Sequence, residues 1–213
     1  MLIQEAISYL YPSITSLNWV DRFGGVVQTV EDSDRGAYPV SCTVSEADCF
    51  NNQRYQDLVP DDTKNSIVYF EVLQGLSDAA NFDASAKETR IELFGRVRLV
   101  GWLNKDRLGL TGCNGAAKAI RSILPAINKN TTITNEVDTL FQNSLIKYRL
   151  RNEVVKDYRN IFGKYAYNDN IGAFLHPFDY FALDIDVSVI LPLGCEYDLN
   201  IGTPITCTDY TKQ

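Results

Sequence analysis

The segment "FALDIDVSVILPL", residues 181–193, constrains the fold more than any other part of the chain. Leu183, Ile185, Val187 and Val189 alternate with Asp184, Asp186 and Ser188. In a pleated strand successive side chains point to opposite faces, so this pattern predicts a strand with one face in a core and the other in water. Two carboxylates on the wet face are expected to be solvated strand positions, with a metal or ligand role as the alternative.

Strand-like runs recur upstream. "FGGVVQTV" (23–30) and "AYPVSCTV" (37–44) flank the turn formers of "EDSDRG" and predict a hairpin, with Pro39 at a sheet edge because it has no amide to donate. "SIVYFEVLQG" and "TRIELFGRVRLVGWL" bracket "LSDAANFDASAKE" and predict a longer hairpin. In its second strand Ile91, Leu93, Val97, Leu99 and Leu103 share one face with Gly95 and Gly101. Arg90, Glu92, Arg96 and Arg98 share the other, interrupted by Phe94, Val100 and Trp102. "SLIKYRLRN" predicts a further strand.

Helical spacing appears three times. Ile3, Ala6, Ile7 and Leu10 predict a helix ending before Pro12. Ala116, Ala119, Ile120, Ile123, Leu124 and Ile127 predict a second, capped by Asn114 or Thr111 and kinked or ended by Pro125. Val154, Val155, Tyr158, Ile161 and Phe162 predict a short third. The expected fold class is α+β: a mostly antiparallel β-sheet with helices packed on one face, a long β-hairpin and long loops. Residues 1–213 are expected to form one domain, with loop elaborations near 45–66 and 131–170.

Composition removes several function classes. At 45% hydrophobic and 22% charged residues the chain reads as globular, and no apolar run approaches the roughly 18 residues of a membrane span. The formal charge of -7 disfavours general affinity for phosphate backbones, although an acidic wall suits a channel through which DNA passes without sticking. The N-terminus lacks a basic lead and an A-x-A-like site, so it reads as an amphipathic helix and the chain as cytoplasmic in origin. Five cysteines without a C-x-x-C pair, beside the single His176, predict free buried thiols more than a zinc site.

Catalytic signatures do not assemble. "GLTGCNGAAK" (109–118) lacks the Lys-Ser/Thr ending of a phosphate loop and is expected to be a turn into a helix. Cys113 with His176 has no local signature of a nucleophile and its base. The acidic clusters "EDSD" (31–34), "PDD" (60–62) and "DID" (184–186) match no EF-hand loop. No catalytic residue, cofactor or metal is therefore expected. The more informative excess is aromatic: Tyr165, Tyr167, Phe174, Phe178, Tyr180 and Phe181 crowd one loop, fit either to pack back onto the domain or to meet a neighbour.

The N-terminal "LIQEAISYLYP", the long hairpin, the helix over the sheet and the closing "PFDYFALDIDVSVIL" together resemble the tail terminator and neck or tail-completion proteins of tailed bacteriophages. The asparagine-rich, cysteine-tolerant style is similar to that of crAss-like phages of gut Bacteroidetes. The resemblance covers most of the chain as an order of elements and about twenty residues as motif. This chain is longer than the compact members, with additions near 45–66 and 131–170.

The resemblance implies a virion protein, made in the host bacterial cytoplasm. It would form a hexamer or dodecamer ring in the neck or tail, in contact with other neck and tail proteins and with double-stranded DNA passing through, and without a membrane. It implies no catalytic residue. The expected self-assembly interface comprises Phe94, Arg96, Arg98, Trp102, Tyr165, Tyr167, Phe178 and Tyr180. The competing expectations are a small-ligand or enzymatic α+β domain and a monomeric protein-binding adaptor.

Overall fold

Strands β4 (Arg90–Asn104) and β7 (Phe178–Pro192) are each 15 residues long and pair antiparallel along their whole length, from Arg90↔Pro192 to Asn104↔Phe178. Around this ladder a computed structural model describes residues 2–34, 36–41, 57–78, 90–112, 114–128, 130–132, 144–155, 157–169 and 171–192. The five cysteines, the tip of the long hairpin and much of the two expected elaborations lie outside the described residues.

The remaining strands are β1 (Arg22–Asp32), β2 (Gly36–Ser41), β3 (Ser66–Asp78), β5 (Asn130–Thr132) and β6 (Leu145–Val155). They extend the ladder into a seven-stranded sheet of order β2-β1-β3-β4-β7-β6-β5. Every pair is antiparallel except β1 with β3. The fold is thus α+β with a mostly antiparallel sheet. Both expected hairpins form, and Pro39 lies in the edge strand β2, where its missing amide breaks no ladder. The closing strand is interior, between β4 and β6, and its alternation holds: Leu183, Ile185, Val187 and Val189 are fully buried.

Those residues belong to the larger core, formed against α1 (Leu2–Ser8), α2 (Tyr11–Thr15) and α3 (Gly115–Ile127). Ile3, Ala6, Ile7 and Leu10 pack here as their spacing predicts, but α1 ends at Ser8. Pro12 sits in the first turn of α2, where no amide is needed from it, instead of stopping a helix. Tyr148 Oη donates to Ala6 O at 2.5 Å and ties α1 to β6. Pro125 lies inside α3 and does not end it, since the helix runs on to Ile127. Asn114 occupies the N-cap position as expected but offers no side-chain bond, and the Ala116 amide donates instead to Asp179 Oδ2 of β7 at 2.8 Å.

A second core covers part of the opposite face. Here α4 (Tyr158–Phe162) and two 3-10 turns (Ala166–Asp169, Ile171–Phe174) lay Phe162, Tyr165, Tyr167 and Phe174 over Tyr69, Val100, Trp102 and Ala182. The three helices on the first face are therefore complemented by a short aromatic cap on the second. Val154 and Val155, expected to be helical, extend β6 beyond a register shift after Leu150. None of the described helices is long and apolar enough to cross a membrane.

Candidate functional site

Along the second face of β4 the outward residues run Glu92, Phe94, Arg96, Arg98, Val100 and Trp102, from charged to apolar. The aromatic cap covers the apolar end and leaves the charged end open. Register then decides the electrostatics: Arg96 stands opposite Asp186, and Arg98 opposite Asp184. Arg98 grips Asp184 with two bonds, Nε to Oδ1 at 2.7 Å and Nη2 to Oδ2 at 3.2 Å, and reaches Asn160 O at 3.2 Å. The hydrogen bond to Asp184 raises the arginine above its already high value. Arg96 Nε lies 3.2 Å from Asp186 Oδ1, and Arg151 Nε reaches Asp186 Oδ2 at 3.6 Å. The two carboxylates of the closing strand are thus ion-paired, not merely solvated. The spacing Arg-x-Arg in one strand and Asp-x-Asp in another was the available signal, because residues two apart share a face.

On the far side of β7, Lys147 and Arg149 of β6 face Ser188 and Asp186. With Gln74, Glu92, Phe94 and Arg96 they line an open groove of about 580 Å³. Phe94 is 40% exposed in it, one of six large apolar side chains exposed among the described residues. Ser188 Oγ donates to Glu92 Oε1 at 2.5 Å. Among the described residues Lys147 and Arg149 make no ion pair. The groove therefore carries three cations, Arg96, Lys147 and Arg149, against two carboxylates, Glu92 and Asp186, on a chain of net charge -7, and among the described residues only Arg96 of the three closes an ion pair.

Of the eight residues expected at a self-assembly surface, the structure brings Phe94 and Arg96 together in this groove, with Arg98 beside it. Trp102, Tyr165 and Tyr167 instead turn their rings into the chain's own second core and are buried. Trp102 Nε1 donates to Ala173 O at 2.7 Å, and Tyr165 Oη donates to buried Glu71 at 2.6 Å. Burial first, and Glu71 second, push the Tyr165 phenol far up. Lys164 completes this knot, its Nζ 3.2 Å from Glu71 Oε1. Phe178 stacks on Trp102 at 4.9 Å and Tyr180 meets Phe162 edge-on at 5.9 Å, both half-buried. The aromatic excess packs back because each ring finds both apolar contact and, for Trp102 and Tyr165, a polar partner. Sequence reading missed Lys147 and Arg149, whose role depends on β6 lying next to β7.

The other acidic and glycine-rich stretches serve turns. Asp32 Oδ1 accepts the Asp34 amide at 2.8 Å, and Asp61 Oδ1 accepts the Thr63 amide at 2.8 Å, which holds Asp61 below the ordinary carboxylate value. Gly109 and Gly112 adopt φ of 63° and 79°, the left-handed turn that precedes α3. Among the described residues no group of three His, Cys, Asp or Glu side chains converges to hold a metal. Cys113 lies outside the described residues, and His176 is exposed. No family model matches the chain, and no curated protein is significantly similar to it in sequence.

Proposed function

We propose that this chain is a structural subunit that assembles with copies of itself into a ring, of the kind that closes or joins the neck and tail of a phage virion around its DNA. The observation that carries this reading is the half-open second sheet face. There an exposed Phe94 lies among Arg96, Lys147 and Arg149, and two of the cations lack an intrachain partner among the described residues. Interfaces combine an apolar centre with charged residues that set register and partner choice, and this face has both. The order of elements that resembles tail terminator and neck proteins supports the virion context. A ring of six or twelve copies, contact with other tail proteins and a place in the neck or tail belong to the same proposal.

Light scattering after size-exclusion chromatography, with negative-stain microscopy of the same fraction, tests it. A closed ring of six or twelve copies is the expected result, and a monomer at all concentrations and at low salt overturns it. The groove volume favours one second reading, since about 580 Å³ lies within the size of small-ligand pockets. A monomer that binds a small anion in this groove, one per chain, is the outcome that would replace the ring.

A further inference from the structure

The turn joining β1 to β2 is the groove's electrostatic opposite. It carries Glu31, Asp32 and Asp34 against the single Arg35, with Glu31 and Asp34 exposed. β1 runs parallel to β3, so this turn lies at the same end of the sheet as the groove. Lys147 and Arg149 of β6 are nevertheless four strand spacings from β1, roughly 19 Å, because β3, β4 and β7 intervene. Within one chain the turn therefore lies far from Lys147 and Arg149, although Gln74 of the neighbouring β3 lines the near edge of the groove.

We infer that the groove of Phe94, Lys147 and Arg149 receives the β1–β2 turn of a second copy of this chain, an inference that rests on the ring reading above. Charge complementarity selects this occupant. The carboxylates of the turn would face Lys147 and Arg149, the two groove cations that close no ion pair among the described residues and leave the groove one positive charge in excess. A phosphate backbone fits less well, because it presents closely and evenly spaced charge, whereas the groove interleaves its cations with Glu92 and Asp186. The two surfaces are unlike, so the contact is head-to-tail: each copy offers its turn forward and its groove backward, and the series closes into a ring where the rotation permits.

Charge exchange tests the contact. One variant carries Lys147→Glu with Arg149→Glu, the other Glu31→Lys with Asp34→Lys, and each is measured by light scattering after size-exclusion chromatography beside the wild type. Each variant alone is expected to self-associate about tenfold or more weakly. Mixed in equal amounts they are expected to reassemble, since the reversed turn of one fits the reversed groove of the other and the native turn fits the native groove. Copies would then alternate, which an even-numbered ring allows. Reassembly also establishes that both variants are folded.

If both variants assemble like the wild type, the contact is wrong while the ring reading stands. The contact also falls if neither variant assembles and the mixture stays apart. If the wild type itself is monomeric, ring and contact fall together. If the wild type binds duplex DNA in fluorescence anisotropy and the groove variant does not, the groove is a nucleic-acid surface and the inference is overturned.

Discussion

Gly101→Ala tests the β4–β7 register at one atom. Gly101 stands opposite Phe181, and a Cβ added to it would lie 2.4 Å from Phe181 Cζ and 2.5 Å from Cε1. Carbon atoms sit comfortably at about 3.5–4.0 Å, so the ring must retreat by about 1 Å or more. It has little room: Phe181 is fully buried in the larger core, with Trp19 edge-on at 6.5 Å. Overpacking of this kind costs about 1–3 kcal/mol, which for a chain of this size lowers Tm by roughly 2–12 °C. The assay is thermal and urea denaturation of the wild type, Gly101→Ala, Phe181→Ala and the double variant. Phe181→Ala alone should cost about 3–5 kcal/mol. With the ring gone, the same methyl at position 101 loses the three atoms that crowd it and replaces a strand glycine, so it should stabilise by about 0.5–1 kcal/mol. The sign of Gly101→Ala therefore reverses between backgrounds. An equal cost in both, or a stabilising effect in the wild type, would refute the placement of Phe181 over Gly101 and with it the pairing of the two longest strands.

Further outcomes are expected elsewhere. Asp184→Asn leaves the partly shielded Arg98 without its bidentate partner and should destabilise by about 1–2 kcal/mol, read as a fall in urea midpoint with unchanged slope. Asp179→Ala removes the bond to the Ala116 amide at the start of α3 and should cost about 1 kcal/mol, whereas Asn114→Ala should cost much less, since its side chain caps nothing. Tyr69, Tyr148, Tyr165 and Tyr167 are all raised above the ordinary phenol value of 10.0, with burial the leading cause in each. The folded chain then holds more protons than the unfolded one above pH 10, so this contribution is complete below that pH and is lost as pH rises. Stability should fall by up to about 1.4 kcal/mol per pH unit for each such tyrosine above pH 10, and their phenolate absorbance should appear only with unfolding.

Much of the fold was legible because local periodicity is a property of the chain itself. The alternation of Leu183 to Val189 fixed a strand with one buried face, the spacing of Ala116 to Ile127 fixed a helix, and Pro39 was confined to an edge by its missing amide. Less of the candidate site could be read. Phe94, Arg96 and Arg98 stood out as charged and aromatic residues in a strand, and the structure places the first two in the groove. Trp102, Tyr165 and Tyr167 looked equally fit for a surface, since an aromatic side chain carries no local sign of whether a neighbour or its own domain will cover it.

Strand order and register belong to the tertiary structure alone. Only once β7 lies between β4 and β6 does Asp186 meet Arg96 and Arg151, do Lys147 and Arg149 gather beside Phe94, and does Asp179 reach the start of α3. The physical reason is that burial of apolar faces depends on side-chain period, which each segment carries alone, whereas ion pairs and caps depend on which segments become neighbours. That choice is made by the free energy of packing the whole sheet, and no single segment encodes it.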